Sequence, residues 1–487
     1  MKKISTWRWV FITSSVVIYL LFFRPGIAMR VSGDFDDRAY LCSAQKWVGI
    51  FSEECPQTSH FSGVTITWFP ALFLARLFSL VTDDSFEAWA GFWVGLTSFF
   101  CWVLCLFVIK ETILLYLKKD AEPKSLENFI SSAWFPVLFL MNIPVLYFAT
   151  TRTFMVHTPE LLWSLLFIYF FKANRFAWGF VSLGVLLFTR PGNFGAVLLV
   201  PAFLEKSLLR KKFPKVLWVF GGLTLVAIGF FLVFKLLVMG YHGTYLIPMI
   251  LDFQWQSLKM FLFAEDFGVV WSQWVWLTGL LLWIRYFKKG SSILAAAGVW
   301  LYISVLATLF WPTRGGTFGY RYLIGSYAAV LLIILEMTCY WGSFLGKKTL
   351  RLTKVFLIFG ALWSAVQCWI YPAPKPYWPW EKPLHNQVGI PYGQVMNWLK
   401  QFPDLVKMNR FSQAGQFLEK LGFISSSEFT RKGGIRGYAL SGAVGEVNFW
   451  TTIFLLVVFL WGARLIIISQ KNTPPVEEKR HRPRKKL

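Results

Sequence analysis

The chain has 487 residues, 56% of them hydrophobic, 19% aromatic and only 15% charged, with a formal net charge of +24. Soluble domains carry about 25% charged residues, so this composition excludes an ordinary soluble globular protein. The basic excess does not indicate nucleic acid either. Lys and Arg collect in short connections between apolar runs, at 2–3, 118–119, 172–175, 210–215, 288–289 and 347–354, and in a tail at 479–486. No folded basic reading module is visible. Short basic connections mark the cytoplasmic side of a membrane protein, and anionic lipid headgroups are the natural partner of such a tail.

Apolar runs of about 20 residues recur from end to end, each long enough to cross a hydrocarbon core of roughly 30 Å. Inside lipid every backbone N–H and C=O must be paired within its own segment, which helices achieve. The expected fold class is therefore all-α: a polytopic integral membrane protein with about a dozen transmembrane helices.

In chain order, a basic start leads into the apolar run 10–23, and no small-residue cleavage site follows, so this is read as an uncleaved first span. The polar stretch 24–60 then lies on the outer side. Segment 67–81 is apolar but short, contains Pro70 and Arg76 and is followed by Asp83, Asp84 and Glu87. It is expected to lie in the interface as a juxtamembrane helix. Segment 86–109 returns, 129–150 goes out and 160–171 comes back. Segments 176–189 and 194–204 are each short, and Arg190-Pro191-Gly192-Asn193 between them is a turn signal. A hairpin there keeps the basic clusters at Arg175 and Arg210 on one side. Further spans are expected at 216–239, 269–287, 293–310, 322–345, 355–371 and 449–468.

The expected organisation is a transmembrane core over 1–371 with a first outer loop at 24–85, an outer (periplasmic) loop region at 372–447, a last transmembrane helix at 448–470 and a basic tail at 471–487. Both termini fall in the cytoplasm. Cys42 and Cys55 share the first outer loop and are a candidate disulfide. Cys101, Cys105, Cys339 and Cys368 lie in apolar runs and read as inert core residues.

The acids provide a separate check, because the positive-inside rule does not use them. Asp34, Asp36, Asp37, Glu53, Glu54, Asp83, Asp84, Glu87, Glu160, Asp252, Glu265 and Asp266 all fall on the outer side of this topology. In Ser32-Gly-Asp-Phe-Asp-Asp-Arg-Ala-Tyr40 two carboxylates are adjacent, and mutual repulsion raises one pKa toward a value that suits a general base. A solvated acidic loop is the plainer reading. Arg152, Arg190, Arg314 and Arg321 all fall at the outer ends of spans, where each taken singly reads as an interfacial anchor. Several charges at one depth point instead to a polar cavity. His157 and His242 are also outside, and a lone His reads as structural. No metal constellation is visible, which leaves a divalent cation open as a cofactor.

The order of first span, outer acidic pair followed by Tyr, and juxtamembrane helix resembles the GT-C superfamily of membrane glycosyltransferases, which includes protein O-mannosyltransferases and the lipid A aminoarabinose transferase. Asp36-Asp37-Arg38-Ala39-Tyr40 resembles that family's first-loop pattern. Arg152 to Leu161, with Glu160 where Asp is usual, resembles its segment that opens the fourth span. Thr317 to Leu323, with Arg321 and Tyr322, resembles its Arg-Tyr start of a late span. The stretch Thr65-Ile-Thr-Trp-Phe-Pro70 departs from the family in lacking a Lys before Pro.

The resemblance implies an inverting transferase that moves a sugar from a polyprenyl-phosphate carrier to an acceptor hydroxyl on the outer face. Asp36 would be the base, and Asp37 and Glu160 would orient the acceptor or a metal. Arg152, Arg190 and Arg321 would bind the donor phosphate, with Asp34, Tyr40, Tyr322 and Arg314 lining the substrate. Its partners would be the lipid-linked sugar donor, a glycan, lipid or protein acceptor, and membrane lipids. The outer loops offer no convincing N-glycosylation sequon, which points to a bacterial inner membrane. Two other classes stay open: a transporter or flippase of lipid-linked sugars, and an O-antigen-type polymerase or ligase working through the 372–447 loop.

Overall fold

The computed structural model describes residues 2–24, 35–50, 63–117, 129–208, 255–263, 268–286, 291–309, 323–341, 347–370, 420–421 and 442–471. Among them every regular element is helical, as composition requires. The elements are α1 (Lys2–Phe22), α2 (Phe35–Gln45), α3 (Val64–Val81), α4 (Phe86–Leu117), α5 (Trp134–Met141), α6 (Val145–Thr150), α7 (His157–Lys172) and α8 (Phe176–Thr189). A 3-10 stretch, Pro191–Leu198, leads into α9 (Leu199–Leu208). Then follow α10 (Trp255–Phe263), α11 (Val269–Ser272), α12 (Trp274–Tyr286), α13 (Ser292–Leu309), α14 (Tyr327–Trp341), α15 (Lys347–Ile370) and α16 (Gly442–Lys471). The expected span at 216–239 and the loop at 372–419 lie outside the described residues.

Two helices, α3 and α4, are long and apolar enough to cross a membrane by length and composition. At 32 residues, α4 is about 48 Å long, since each helical residue rises about 1.5 Å. Contacts along it define two ends of the bundle. Near its middle the Ser98 hydroxyl donates to Thr153 O (3.0 Å), just ahead of α7. At its C-terminal end Tyr116 lies under the Lys172 ammonium at the end of α7. The two helices therefore run side by side in the same direction. The end holding the start of α7 is called the upper end here, and the end holding Lys172 the lower end.

Helix α3 turns back along the first part of α4. Phe78 packs on Trp89 and Trp93, Trp68 meets Phe154 edge-on, and Trp163 Nε1 donates to Thr67 Oγ1. Pro70 sits inside this helix without ending it. The three-residue connection Ala173–Arg175 between α7 and α8 lies at the lower end, with Asn174 at a positive φ of 59°. From there α8 climbs to Thr189, the chain turns at 190–193, and the 3-10 stretch and α9 descend again. Phe203 of α9 stacks on Phe171 near the end of α7, and Phe171 also meets Phe176 and Phe180 of α8. The segment 176–204 is thus a hairpin, as its turn signal predicts.

The expected continuous span at 129–150 is broken instead. Pro144 has no N–H and cannot continue the hydrogen-bond ladder, and α5 and α6 separate around Asn142 and Ile143. The Asn142 amide repairs the break, with Nδ2 donating to Leu138 O (2.8 Å) and Leu357 O (2.6 Å). The segment 269–287 is likewise interrupted at Gln273, whose Oε1 accepts from Tyr327 OH (3.0 Å). The last helix begins beside the α3–α4 turn, where the Asp84 carboxylate accepts from Val444 N (2.9 Å).

The interior is built from large apolar side chains, with Trp68, Trp89, Trp102, Trp276 and Trp300 fully buried. Apolar side chains also face outward: Phe100, Leu104 and Phe107 on α4, Ile358, Phe359 and Leu362 on α15, and Phe454, Val457 and Trp461 on α16. Exposed apolar surface on this scale calls for a non-aqueous partner.

Candidate functional site

The upper end gathers buried charge around the start of α7. Glu160 lies in the first turn of α7, where the unpaired N–H groups of a helix start favour a carboxylate. Pro159 precedes it in the same turn, a position where a missing N–H costs nothing. Glu160 is fully buried and its carboxylate is held on both oxygens. Arg190 Nη1 and His157 Nδ1 each lie 3.2 Å from Oε2. Asn193 Nδ2 donates to Oε1 at 2.7 Å.

Local sequence places Arg190 and Asn193. A residue before Pro is pushed out of the helical region, and Arg190 is extended (φ −156°, ψ 105°) at the end of α8. Pro191 then opens the 3-10 stretch. The corner closes with Arg190 N donating to Leu186 O (2.8 Å) and Asn193 N donating to Arg190 O (3.1 Å). Arg190 keeps 14% of its side chain exposed, whereas His157 and Asn193 are buried. Arg190 Nη1 also lies 3.0 Å from His157 Nδ1, and the His157 ring packs on Phe148 with centroids 4.3 Å apart.

Two more buried arginines sit at this level. Arg152, in the segment before α7, is 4% exposed, and its N donates to Tyr147 O (3.1 Å). Arg24, directly after α1, is 1% exposed, and its N donates to Thr150 O (2.8 Å). Burial pulls its guanidinium down to about 10, so it stays charged at neutral pH. Buried charges are tolerated where they are paired or line a polar site.

Of the residues singled out from sequence, the structure brings Glu160 and Arg190 into direct contact and buries Arg152 nearby in the chain. Asp36 and Asp37 lie on α2, their side chains outside the described set, and Tyr40 is half-buried on the same helix. Helix α2 is tied to the upper end through Gln45 Nε2 and Glu87 Oε1, 3.4 Å apart. Asp34, Arg314, Arg321 and Tyr322 lie outside the described residues. Cys42 is disulfide-bonded, and Cys55 lies outside the described residues. Cys101, Cys105 and Cys368 are free and buried. Among the described residues no group of three His, Cys, Asp or Glu side chains would hold a metal ion.

Sequence reasoning left out His157, Asn193 and Arg24 as site residues. For His157 a signal existed in its i, i+3 spacing to Glu160, which places both on one helix face. Asn193 was visible only as part of a turn. A second buried polar cluster at the lower end was also unforeseen. Glu336 of α14 accepts from Tyr116 OH (2.9 Å) and from the Ser291 hydroxyl (3.2 Å), with Lys172 Nζ 3.9 Å away.

Comparison with protein-family models, with curated proteins and with solved structures returned no match. The chemistry must therefore be argued from the site itself. The upper end offers a fixed, partly exposed guanidinium backed by a buried carboxylate, and two further buried cations. Planar guanidinium groups suit phosphate oxygens.

Proposed function

We propose that this protein is a polytopic membrane glycosyltransferase of the GT-C type. It crosses the bilayer about a dozen times, both termini are cytoplasmic and the upper end faces the periplasm of a bacterial inner membrane. It moves a sugar from a polyprenyl-phosphate carrier to an acceptor hydroxyl. Asp36 takes the hydroxyl proton as the oxygen attacks the anomeric carbon. Arg190, with Arg152 and Arg321, stabilises the phosphate that leaves. Glu160 holds Arg190 in place, and a carboxylate already committed to an arginine is a poor base.

The observation that carries this reading is the clamp on Arg190. A buried carboxylate holds one guanidinium nitrogen of Arg190 and part of that side chain stays exposed; in this reading Asp36 and Asp37 of α2 stand across the substrate from it. Fixed donors aimed at developing charge cost no reorganisation during reaction. The apolar girdle on α4, α15 and α16 supports the membrane setting. The placement of Lys172, Arg175, Arg285 and Lys347 at helix ends on the lower side supports its orientation. The disulfide at Cys42 supports an oxidising compartment at the upper end.

One observation favours a second reading, a flippase of lipid-linked sugars: the helices broken at Asn142–Pro144 and at Gln273, since transporters build their sites from discontinuous helices. The acids and arginines singled out from sequence fall on one face of the expected topology, which favours the enzyme. The test is transfer of radiolabelled sugar from polyprenyl-phosphate donors in membranes, comparing wild type with Asp36→Asn at matched expression. Transfer lost in the variant supports the enzyme with Asp36 as base, and equal transfer removes Asp36 from that role. No transfer by either across a broad donor panel favours the flippase.

A further inference from the structure

Helix α6 cannot hold itself in place. Isolated helices shorter than about 12 residues are marginal even in favourable sequences, and α6 has six, all of them buried. Its position is set by what packs around it. Yet three members of the upper cluster hang on it. Arg24 N donates to Thr150 O (2.8 Å) and Arg152 N to Tyr147 O (3.1 Å), and the Phe148 ring packs on His157. The seat of α6 therefore decides where both buried arginines start and what lies against the histidine.

Helix α15 grips α6 from both ends. On the upper side the Cys368 thiol hydrogen-bonds with the Tyr147 backbone and lies beside Arg24. On the lower side is the break that separates α6 from α5. Pro144 cannot carry the hydrogen-bond ladder across it, so the backbone alone does not fix the rise and rotation of α6. Asn142 supplies the missing tie, with Nδ2 donating across to Leu357 O (2.6 Å) as well as back to Leu138 O (2.8 Å).

The Asn142 amide oxygen also rests on α15. A Cβ at Gly360 would fall on that oxygen, and Gly360 lies three residues beyond Leu357, on the same helix face. The bare Cα thus lets the whole amide lie against α15. The same Cβ would stand 3.4 Å from Trp274 Cβ, at the start of α12, and the Trp274 ring stacks on Phe359 with centroids 4.7 Å apart. The breaks at Asn142–Pro144 and at Gln273 therefore meet α15 at one glycine.

We infer that Asn142 and Gly360 form a latch that seats α6, and that Asn142 is a positioning residue for Arg24 and Arg152. The latch stands apart from the proposed chemistry; its effect on donor binding rests on the glycosyltransferase reading. An amide that only filled the break would act differently. Its loss would loosen the whole bundle and bare every buried thiol together.

Cys368 reports on the seat because its thiol touches Tyr147, whereas Cys101 and Cys105, also free and buried, lie on α4. The full-length protein in detergent is treated with a small neutral thiol reagent, and peptide mass spectrometry resolves the labelling of each cysteine. Asn142→Ala and Gly360→Ala are each expected to speed labelling of Cys368 about tenfold, the effect of one buried hydrogen bond lost. Cys101 and Cys105 should stay as slow as in wild type. Gly184→Ala, whose added Cβ meets open space, should match wild type throughout. Gly360→Ala tests the contact from α15, so the outcome does not hang on Asn142→Ala folding. In the double variant the added methyl fills space that the amide leaves, so labelling should be within about twofold of Asn142→Ala. Unchanged Cys368 labelling, or Cys101 and Cys105 rising with it, would overturn the inference. So would a double variant in which the two increases multiply.

A second arm measures the proposed sugar transfer. Asn142→Ala is expected to raise KM for the polyprenyl-phosphate donor at least about tenfold, whereas a mere loss of folded molecules lowers the apparent kcat and leaves KM unchanged. An unchanged KM beside a freed Cys368 would overturn the positioning role. No transfer by wild type from any donor would sink the glycosyltransferase reading, and the thiol arm alone would then decide the latch.

Discussion

Asn193 Nδ2 donates to Glu160 Oε1 over 2.7 Å, so the corner after α8 is fastened to the first turn of α7 by a bond independent of the arginine. The charged clamp on Glu160 Oε2 and the amide on Oε1 come from one turn of chain. Whatever moves Asn193 therefore disturbs the carboxylate that orients Arg190.

Gly325 provides the sharpest test of that bond. A Cβ at this position would fall on the Asn193 amide oxygen, whereas a Cβ at Gly192 would meet open space. Asn193 cannot swing aside without releasing Glu160, and a hydrogen bond to a charged group contributes about 1.5–3 kcal/mol. Gly325→Ala is expected to lower the proposed sugar transfer at least about tenfold, and Gly192→Ala to leave it unchanged. Initial rates at saturating donor decide it.

Removing one member of a buried ion pair leaves the other charge unpaired, at a cost of about 3–5 kcal/mol. Glu160→Gln is therefore expected to destabilise the protein strongly in thermal unfolding in detergent. Glu160→Gln combined with Arg190→Met should recover a large part of the loss. A double variant whose loss equals the sum of the single losses would show that the two side chains are not coupled.

The lower cluster is expected to act on stability alone. Tyr116→Phe deletes one donor to the buried Glu336 carboxylate and should cost about 1–3 kcal/mol. Lys172→Met should cost less, since Lys172 Nζ stands 3.9 Å from Glu336 and is partly exposed. The proposed sugar transfer, measured per folded molecule, should remain within about twofold for both. A larger loss of transfer would tie the lower end to the chemistry.

Asp84 caps the last helix from outside it, through Val444 N. Losing a cap of this kind costs about 1 kcal/mol. Asp84→Ala is expected to lower the melting temperature by a few degrees, and Asp84→Ser to restore part of that stability. The comparison is made by thermal unfolding under one detergent condition.

The disulfide predicts a side as well as a bond. Cys42 is oxidised while Cys101, Cys105 and Cys368 are free and buried. On intact cells a membrane-impermeant maleimide should label Cys42 only after reduction, and the three buried thiols only after denaturation. Labelling of Cys42 only in opened cells would reverse the proposed orientation.

Much of the architecture was legible in the chain because its causes are local or compositional. Sparse charge and recurrent apolar runs required a helical bundle. Arg190-Pro191-Gly192-Asn193 marked a corner because proline bars the helical region to the residue before it, and the hairpin formed there. The break at Asn142 had a local cause as well, in Pro144 two residues on, yet a single expected span ran across it. Pro70 sits inside an unbroken α3, so proline alone does not decide where a helix ends.

The site was legible only in part. Sequence determined that Glu160 begins a helix and that Arg190 ends one, since both follow from neighbours in the chain. Only the tertiary structure decided that the two share a carboxylate oxygen with His157, that Asn193 takes the other oxygen, and that Glu336 meets Tyr116 at the opposite end. The reason lies in the helices themselves. A helix apolar on nearly every side carries no stripe that says which face turns inward. Its rotation and depth are set by the neighbours it packs against, and those contacts join residues far apart in the chain.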